Sequence, residues 1–231
     1  MKKKILVAMA MIGSLSLVGS VSAETINFLD TTIDFPGFYS GMGDENGTPK
    51  IESMDVTYND TTGELETVVI NLHDSPSRQL FDSLFINADY TGDSSDWDSW
   101  DYFVHSGGSY NAGHSTGSVA SDGLWSVESA YDYTNVNYSG GRNGHANGID
   151  SNSLSYMSGM TGSHSGYAIT YDFSGSGIVV GSTFSIAYSP WCANDVIIGS
   201  TVGSSVPEPA TMLLFGTGLV GLAGMRKRRK E

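Results

Sequence analysis

The chain has 231 residues, a formal net charge of −14, 29 glycines, 11 % aromatic residues and one cysteine. So acidic a surface repels nucleic acid and anionic lipid and attracts divalent cations or basic partners, which excludes a nucleic-acid binder. A single cysteine excludes an intramolecular disulfide, and a chain of this length can rely on a hydrophobic core instead.

Residues 1–23 read as a signal peptide. Lys2, Lys3 and Lys4 form a positive start, residues 5–18 an apolar stretch too short for a permanent span, and Val21, Ser22 and Ala23 the site that a signal peptidase reads. Cleavage is expected after Ala23, with signal peptidase and the secretion machinery as the first partners. The exported part then divides into an acidic domain over 24–201 and a linker over 202–205. Its charge is more lopsided than the whole-chain figure. Three of the eleven cations lie in the signal peptide and five in the C-terminal tail, leaving Lys50, Arg78 and Arg142 against twenty-three acids, a net charge near −20.

Within that domain the apolar period is two. Ile51, Met54, Val56 and Tyr58 precede the turn Asn59-Asp60-Thr61-Thr62-Gly63, and Leu65, Val68, Ile70 and Leu72 follow it, which predicts a β-hairpin with a glycine-containing loop. Further strands are expected at 84–87, 100–104, 124–128, 166–173, 183–188 and 196–198. Segments rich in Gly, Ser, Asn and Asp separate them, and no window offers an amphipathic helix. Residues 106–121 and 139–165 read as long loops. The pattern predicts an all-β fold, an antiparallel β-sandwich of jelly-roll-like form.

Two motif matches are decoys. Gly113-His114-Ser115-Thr116-Gly117 fits G-x-S-x-G but lacks the strand–turn–helix setting of a nucleophile elbow. Gly216-Thr217-Gly218-Leu219-Val220-Gly221 fits G-x-G-x-x-G but lies in an apolar span, where small residues suit close helix packing. His73, His105, His114, His145 and His164 have no metal-ligand spacing and read as loop or surface residues. Cys192 reads as a half-buried small hydrophobe. Asn87, Asp89, Thr91, Asp93 and Asp98, with Gly92 at the sixth position, resemble an EF-hand-type loop that would hold Ca²⁺. Asn at the first position, the short Asp98 at the twelfth and the lack of flanking helices depart from that pattern, and an acidic solvated turn is the alternative. Ca²⁺ is the only cofactor considered.

Trp97, Trp100, Tyr102, Trp125, Tyr131, Tyr133, Tyr138 and Tyr156 make the middle of the chain aromatic. Exposed rings beside Asp and Asn suit carbohydrate; alternation such as Trp100-x-Tyr102 more simply puts one ring row into the core. Thr31-Thr32 and Thr61-Thr62 form no T-x-T ladder of the kind ice binding needs.

The C-terminal segment 206–231 has three parts in order: Val206-Pro207-Glu208-Pro209, an uncharged and mostly apolar run over 210–225, and cations over 226–230. Sixteen residues make a helix of roughly 24 Å, slightly short of a hydrocarbon core of roughly 30 Å, a deficit that snorkelling cations cover. The cations hold the C-terminus in the cytoplasm and the domain outside. This order resembles the PEP-CTERM sorting signal of exported bacterial proteins, a tag also called an ice-binding protein C-terminal motif. The resemblance implies a transient membrane anchor cut near Pro207, Glu208 and Pro209 by an exosortase-type transpeptidase. Trp191-Cys192-Ala193-Asn194-Asp195-Val196-Ile197 is also similar to the last strand of a β domain that often precedes this tag.

The expected function is that of a non-enzymatic surface or extracellular-matrix protein of a bacterium, inner-membrane-anchored as a precursor and associated with exopolysaccharide or biofilm. A secreted carbohydrate-binding module or lectin is the alternative, and a secreted hydrolase with no nominated site comes third.

Overall fold

The computed structural model describes residues 22–32, 50–73, 82–93, 95–106, 114–116, 118, 120–136, 146–190 and 195–201. They form strands β1 (Ala23–Leu29), β2 (Ile51–Asn59), β3 (Leu65–Leu72), β4 (Asp82–Asn87), β5 (Tyr102–His105), β6 (His114–Thr116) and β7 (Gly123–Val127). Then come β8 (Tyr133–Val136), β9 (Ala146–Ile149), β10 (Leu154–Met157), β11 (Thr161–Ser165), β12 (Ala168–Asp172), β13 (Ser185–Pro190) and β14 (Ile197–Ser200). A single 3-10 turn at Ser151–Ser153 is the one helical element among the described residues.

The β2–β3 hairpin forms as its alternation predicts. Asn59 caps the turn, its Oδ1 accepting from the Thr61 and Thr62 amides at 2.9 Å each. Gly63 closes it at φ 73°, where a Cβ would lie 2.6 Å from the Val180 carbonyl oxygen, so only glycine fits.

Two antiparallel sheets carry the core. One has the order β1-β2-β3-β12-β11, the other β10-β7-β5-β4-β13-β14. The chain passes between them at β3–β4, β10–β11 and β12–β13, and β3 pairs with β12 as β4 pairs with β13. Between the sheets Met54, Val56, Val68, Ile70, Ile169 and Tyr171 meet Leu84, Ile86, Val104, Leu124, Ile186 and Tyr188, all 1 % exposed or less. This is a β-sandwich.

At one side β1 meets β14. The Ile198 amide donates to Thr32 Oγ1 at 3.3 Å, and the Phe28 ring lies on Gly199. The Tyr58 hydroxyl donates to Glu24 Oε2 at 3.0 Å across β1 and β2; partial burial and then that carboxylate push its pKa up to about 12.

The outer faces of the two sheets differ. That of the first is polar, with Asn27 donating to Asp55 and Asn71 to Ser53 and Asp55. That of the second is apolar. Phe85, Phe103 and Ala187 are fully covered there, together with Trp100, Ile149 and Val196. The cover is the three-stranded sheet β6-β8-β9 and the loop after β4. Gly148 of β9 comes so near that a Cβ would touch Phe103 at 3.5 Å. The six-stranded sheet is thus a middle layer with a core on each face.

Three expectations change. Residues 106–121 and 139–165 are not long loops throughout, since β6, β9, β10 and β11 lie within them. The last two are edge strands, which need one partner and little apolar content. β1 was not foreseen as a strand, although Thr25, Ile26, Asn27 and Phe28 alternate. Trp100 and Tyr102 do not share a ring row: β5 starts at Tyr102, which packs on the inner core, while Trp100 belongs to the outer one.

Residues 1–21 of the predicted signal peptide 1–23, Cys192, the linker, the predicted span 210–225 and the basic tail lie outside the described residues. No described helix is long and apolar enough to cross a membrane.

Candidate functional site

The acidic segment 87–101 leaves β4, passes over the outer face of the middle sheet and enters β5. Its aromatic side is anchored. Trp100 is 4 % exposed and packs on Phe85 with centroids 5.5 Å apart, and Trp97 meets Trp100 edge to face at 5.7 Å. Tyr131 and Tyr133, just before and within β8, cross at 89° beside them. The Trp100 Nε1–H donates to the Tyr133 hydroxyl at 2.9 Å, and the Tyr131 hydroxyl donates to the Asp98 carbonyl. Burial holds both phenols above their ordinary pKa, so they remain neutral donors.

Three of the oxygens predicted to hold Ca²⁺, on Thr91, Asp93 and Asp98, already accept hydrogen bonds. The Asn87 side chain is buried and its Nδ2 donates to the Asp96 carbonyl at 2.9 Å. Thr91 Oγ1 accepts from the Asp93 amide at 3.2 Å. The Asp93 carbonyl, the expected seventh-position ligand, accepts from the Asp96 amide at 2.9 Å. Asp98 Oδ2 accepts from Tyr133 at 3.4 Å. Gly92 does adopt the left-handed conformation expected of it, φ 82°. Yet among the described residues no group of three or more His, Cys, Asp or Glu is arranged to hold a metal ion, Asp89, Asp93 and Asp98 included.

The loop uses its carboxylates as caps instead. Asp93 Oδ1 accepts from the Ser95 amide and hydroxyl, and Asp96 accepts from the Thr91 amide and the Ser99 hydroxyl. These bonds stabilise the charged forms and lower both pKa values, through the Ser95 amide for Asp93 and the Ser99 hydroxyl for Asp96. Asp101 is the residue that sequence reading missed. Its Oδ2 accepts from the Ala88 amide at 2.7 Å. Burial of that carboxylate raises its pKa, the Ala88 bond opposes the rise, and the charge on Asp89 adds to it. No spacing in the sequence signals this role, because the contact joins the two ends of the loop.

The other sequence candidates scatter. Ala23 heads β1 opposite Asn59, exposed. Residues 114–116 form an antiparallel strand beside β8, which is not the setting of a nucleophile elbow. His105 is a correction: far from the surface, it is 1 % exposed on β5 and stacks on Phe103 at 6.2 Å. Thr25, Thr57 and Thr67 do share one cross-strand row, with the first two hydroxyls 2.8 Å apart. That row continues into Asp172 and its neighbour contains Val69, so no threonine lattice results.

The sheets define an all-β domain with an acidic loop laid over its middle layer. The end of the chain supplies the particular assignment: residues 205–229 match the PEP-CTERM protein-sorting motif. The match contains Pro207, Glu208 and Pro209, and the chain is therefore an exported protein whose precursor passes through the membrane and is sorted by an exosortase. No curated protein and no solved structure matches the chain.

Proposed function

We propose that this chain is a non-enzymatic surface or extracellular-matrix protein of a bacterium. Its signal peptide is removed after Ala23, residues 210–225 serve as a transient inner-membrane anchor, and processing near Pro207, Glu208 and Pro209 delivers a jelly-roll-like acidic sandwich to the cell exterior. There it associates with exopolysaccharide or biofilm. The sorting-motif match carries this reading. The acidic excess suits it as well, since a domain near −20 remains soluble and presents carboxylates to a hydrated matrix. In the loop over 87–101, carboxylates that cap their own turns favour a scaffold role over proton transfer.

Pulse-labelling of cells expressing the chain with Pro207→Ala/Glu208→Ala tests it. The double variant is expected to accumulate uncleaved in the membrane fraction, whereas the unaltered chain reaches the surface or medium. Normal processing of the double variant would sink the sorting reading.

A further inference from the structure

On the outer face of the middle sheet one cross-strand row runs Tyr156, Trp125, Phe103, Phe85, Ala187, Ile198. β9 lies over β4, β5 and β13. The row outruns that cover: Phe103 is 1 % exposed, Trp125 is half-buried, and Tyr156 on β10 is 65 % exposed.

Single exposed aromatics are ordinary, but these two rings are seated. They meet edge to face with centroids 5.3 Å apart at 79°. Trp125 Nε1–H donates to the Ser121 carbonyl at 3.1 Å. Tyr156 rests on the bare backbone of Gly123, which has φ 147° and where a Cβ would lie 2.9 Å from the ring's Cε2. Rings fixed in advance lose little side-chain entropy when a ligand stacks on them.

The rim is acidic. Asp122 precedes Gly123 and is exposed, and exposed Glu128 follows β7, its Oε1 accepting from Ser155 Oγ at 3.3 Å. None of Lys50, Arg78 and Arg142 lies on β7, β10 or residues 118–128. A cation is drawn both to the face of an aromatic ring and to a carboxylate rim, and the acidic domain steers it there. A uronate chain is repelled by the same charges.

We propose that Trp125 and Tyr156 form a binding platform for a polysaccharide of amine-bearing hexopyranose units. The C–H face of one sugar stacks on Tyr156, and its ammonium meets Asp122, which precedes the glycine beneath that ring. The proposal rests on the exopolysaccharide association proposed above and names its chemistry.

Calorimetric titration of the full-length chain in detergent with a chitosan hexamer tests it, alongside the fully N-acetylated hexamer and oligogalacturonate. Removing the ring by Tyr156→Ala is expected to weaken hexamer binding about tenfold, from the apolar area the stacked ring covers, while Tyr156→Phe retains it. Asp122→Asn should weaken it and flatten its salt dependence. The acetylated hexamer should bind at least about fivefold more weakly, and oligogalacturonate should not bind. Tyr156 is exposed, so the melts of its variants should coincide with that of the unaltered chain. Equal chitosan affinity in Tyr156→Ala would reduce the interaction to general attraction by an acidic surface and overturn the platform. Equal affinity for the acetylated hexamer would overturn the amine. Self-association lost in Tyr156→Ala, with no chitosan binding, would make the patch a contact between copies and overturn the proposal too. Failed binding with normal cleavage near Pro207 leaves the sorting reading intact, and failed cleavage with normal binding leaves the platform intact.

Discussion

The closure between β1 and β14 rests on one missing side chain. Gly199 is buried on β14, and a Cβ there would run into Cδ2 and Cγ of the Phe28 ring. Its substitution by alanine needs no unusual backbone angle, so the whole effect falls on packing. Phe28 is half-buried in the inner core. Fully burying a phenylalanine contributes about 1.5–3 kcal/mol, so expelling this half-buried ring forfeits about 1 kcal/mol. Overpacking strain adds about 1–3 kcal/mol if the ring stays. The cheaper response sets the cost, so Gly199→Ala should cost about 1–2 kcal/mol, which for a domain of this size lowers Tm by about 2–8 °C. A double-mutant cycle isolates the cause. Phe28→Ala alone creates a void and destabilises, but in Phe28→Ala/Gly199→Ala the new methyl occupies the vacated space. The double variant should therefore lose less than the two single losses combined, with a coupling of about 1 kcal/mol or more. The measurement is denaturant unfolding of all four proteins at constant m-value. A Gly199→Ala variant within about 0.5 kcal/mol of the parent, or strictly additive losses, would refute the reasoning.

Asp101→Asn keeps an acceptor for the Ala88 amide and removes a charge beside Asp89 and Asp96. A carboxyl whose folded pKa is raised supports folding only where it is protonated, and that support is lost as pH rises through the folded value. At pH 7 the variant should match or exceed the parent by up to about 0.5 kcal/mol, discounted for solvent screening, most clearly at low salt, and the gain should vanish by about pH 3; a lower Tm at pH 7 would contradict this. Millimolar Ca²⁺ should shift the thermal melt no more than Mg²⁺ does, because the loop's oxygens already cap its own turns. A Ca²⁺-specific rise abolished by Asp89→Ala would show that the loop rearranges into a metal site.

The hairpin was legible because Ile51 to Leu72 alternate around a turn whose Asn59 and Gly63 have only one use there. The outer core was not. Phe103 and Phe85 read as strand residues, but alternation says only which residues share a side, never what covers that side. The platform shows the same gap. Trp125 and Tyr156 lie far apart along the chain, and only the pairing of β10 with β7 sets them side by side. His105 was misread for this reason: its burial comes from the layer laid over β5. The calcium resemblance is a different case, since residue spacing records which oxygens are available but not which hydrogen bonds compete for them.

By itself the sequence determined the class and the sorting motif: period-two apolar segments, and Pro207-Glu208-Pro209 before an apolar run and a basic tail. These are local properties, carried by neighbouring residues and readable without a partner. Only the tertiary structure decided that the six-stranded sheet is covered on both faces, that the acidic loop uses its carboxylates as caps, and that one ring pair emerges at the edge. Each of those depends on strands distant in sequence meeting in register, and the free energy that selects the register is contact with whatever lies opposite.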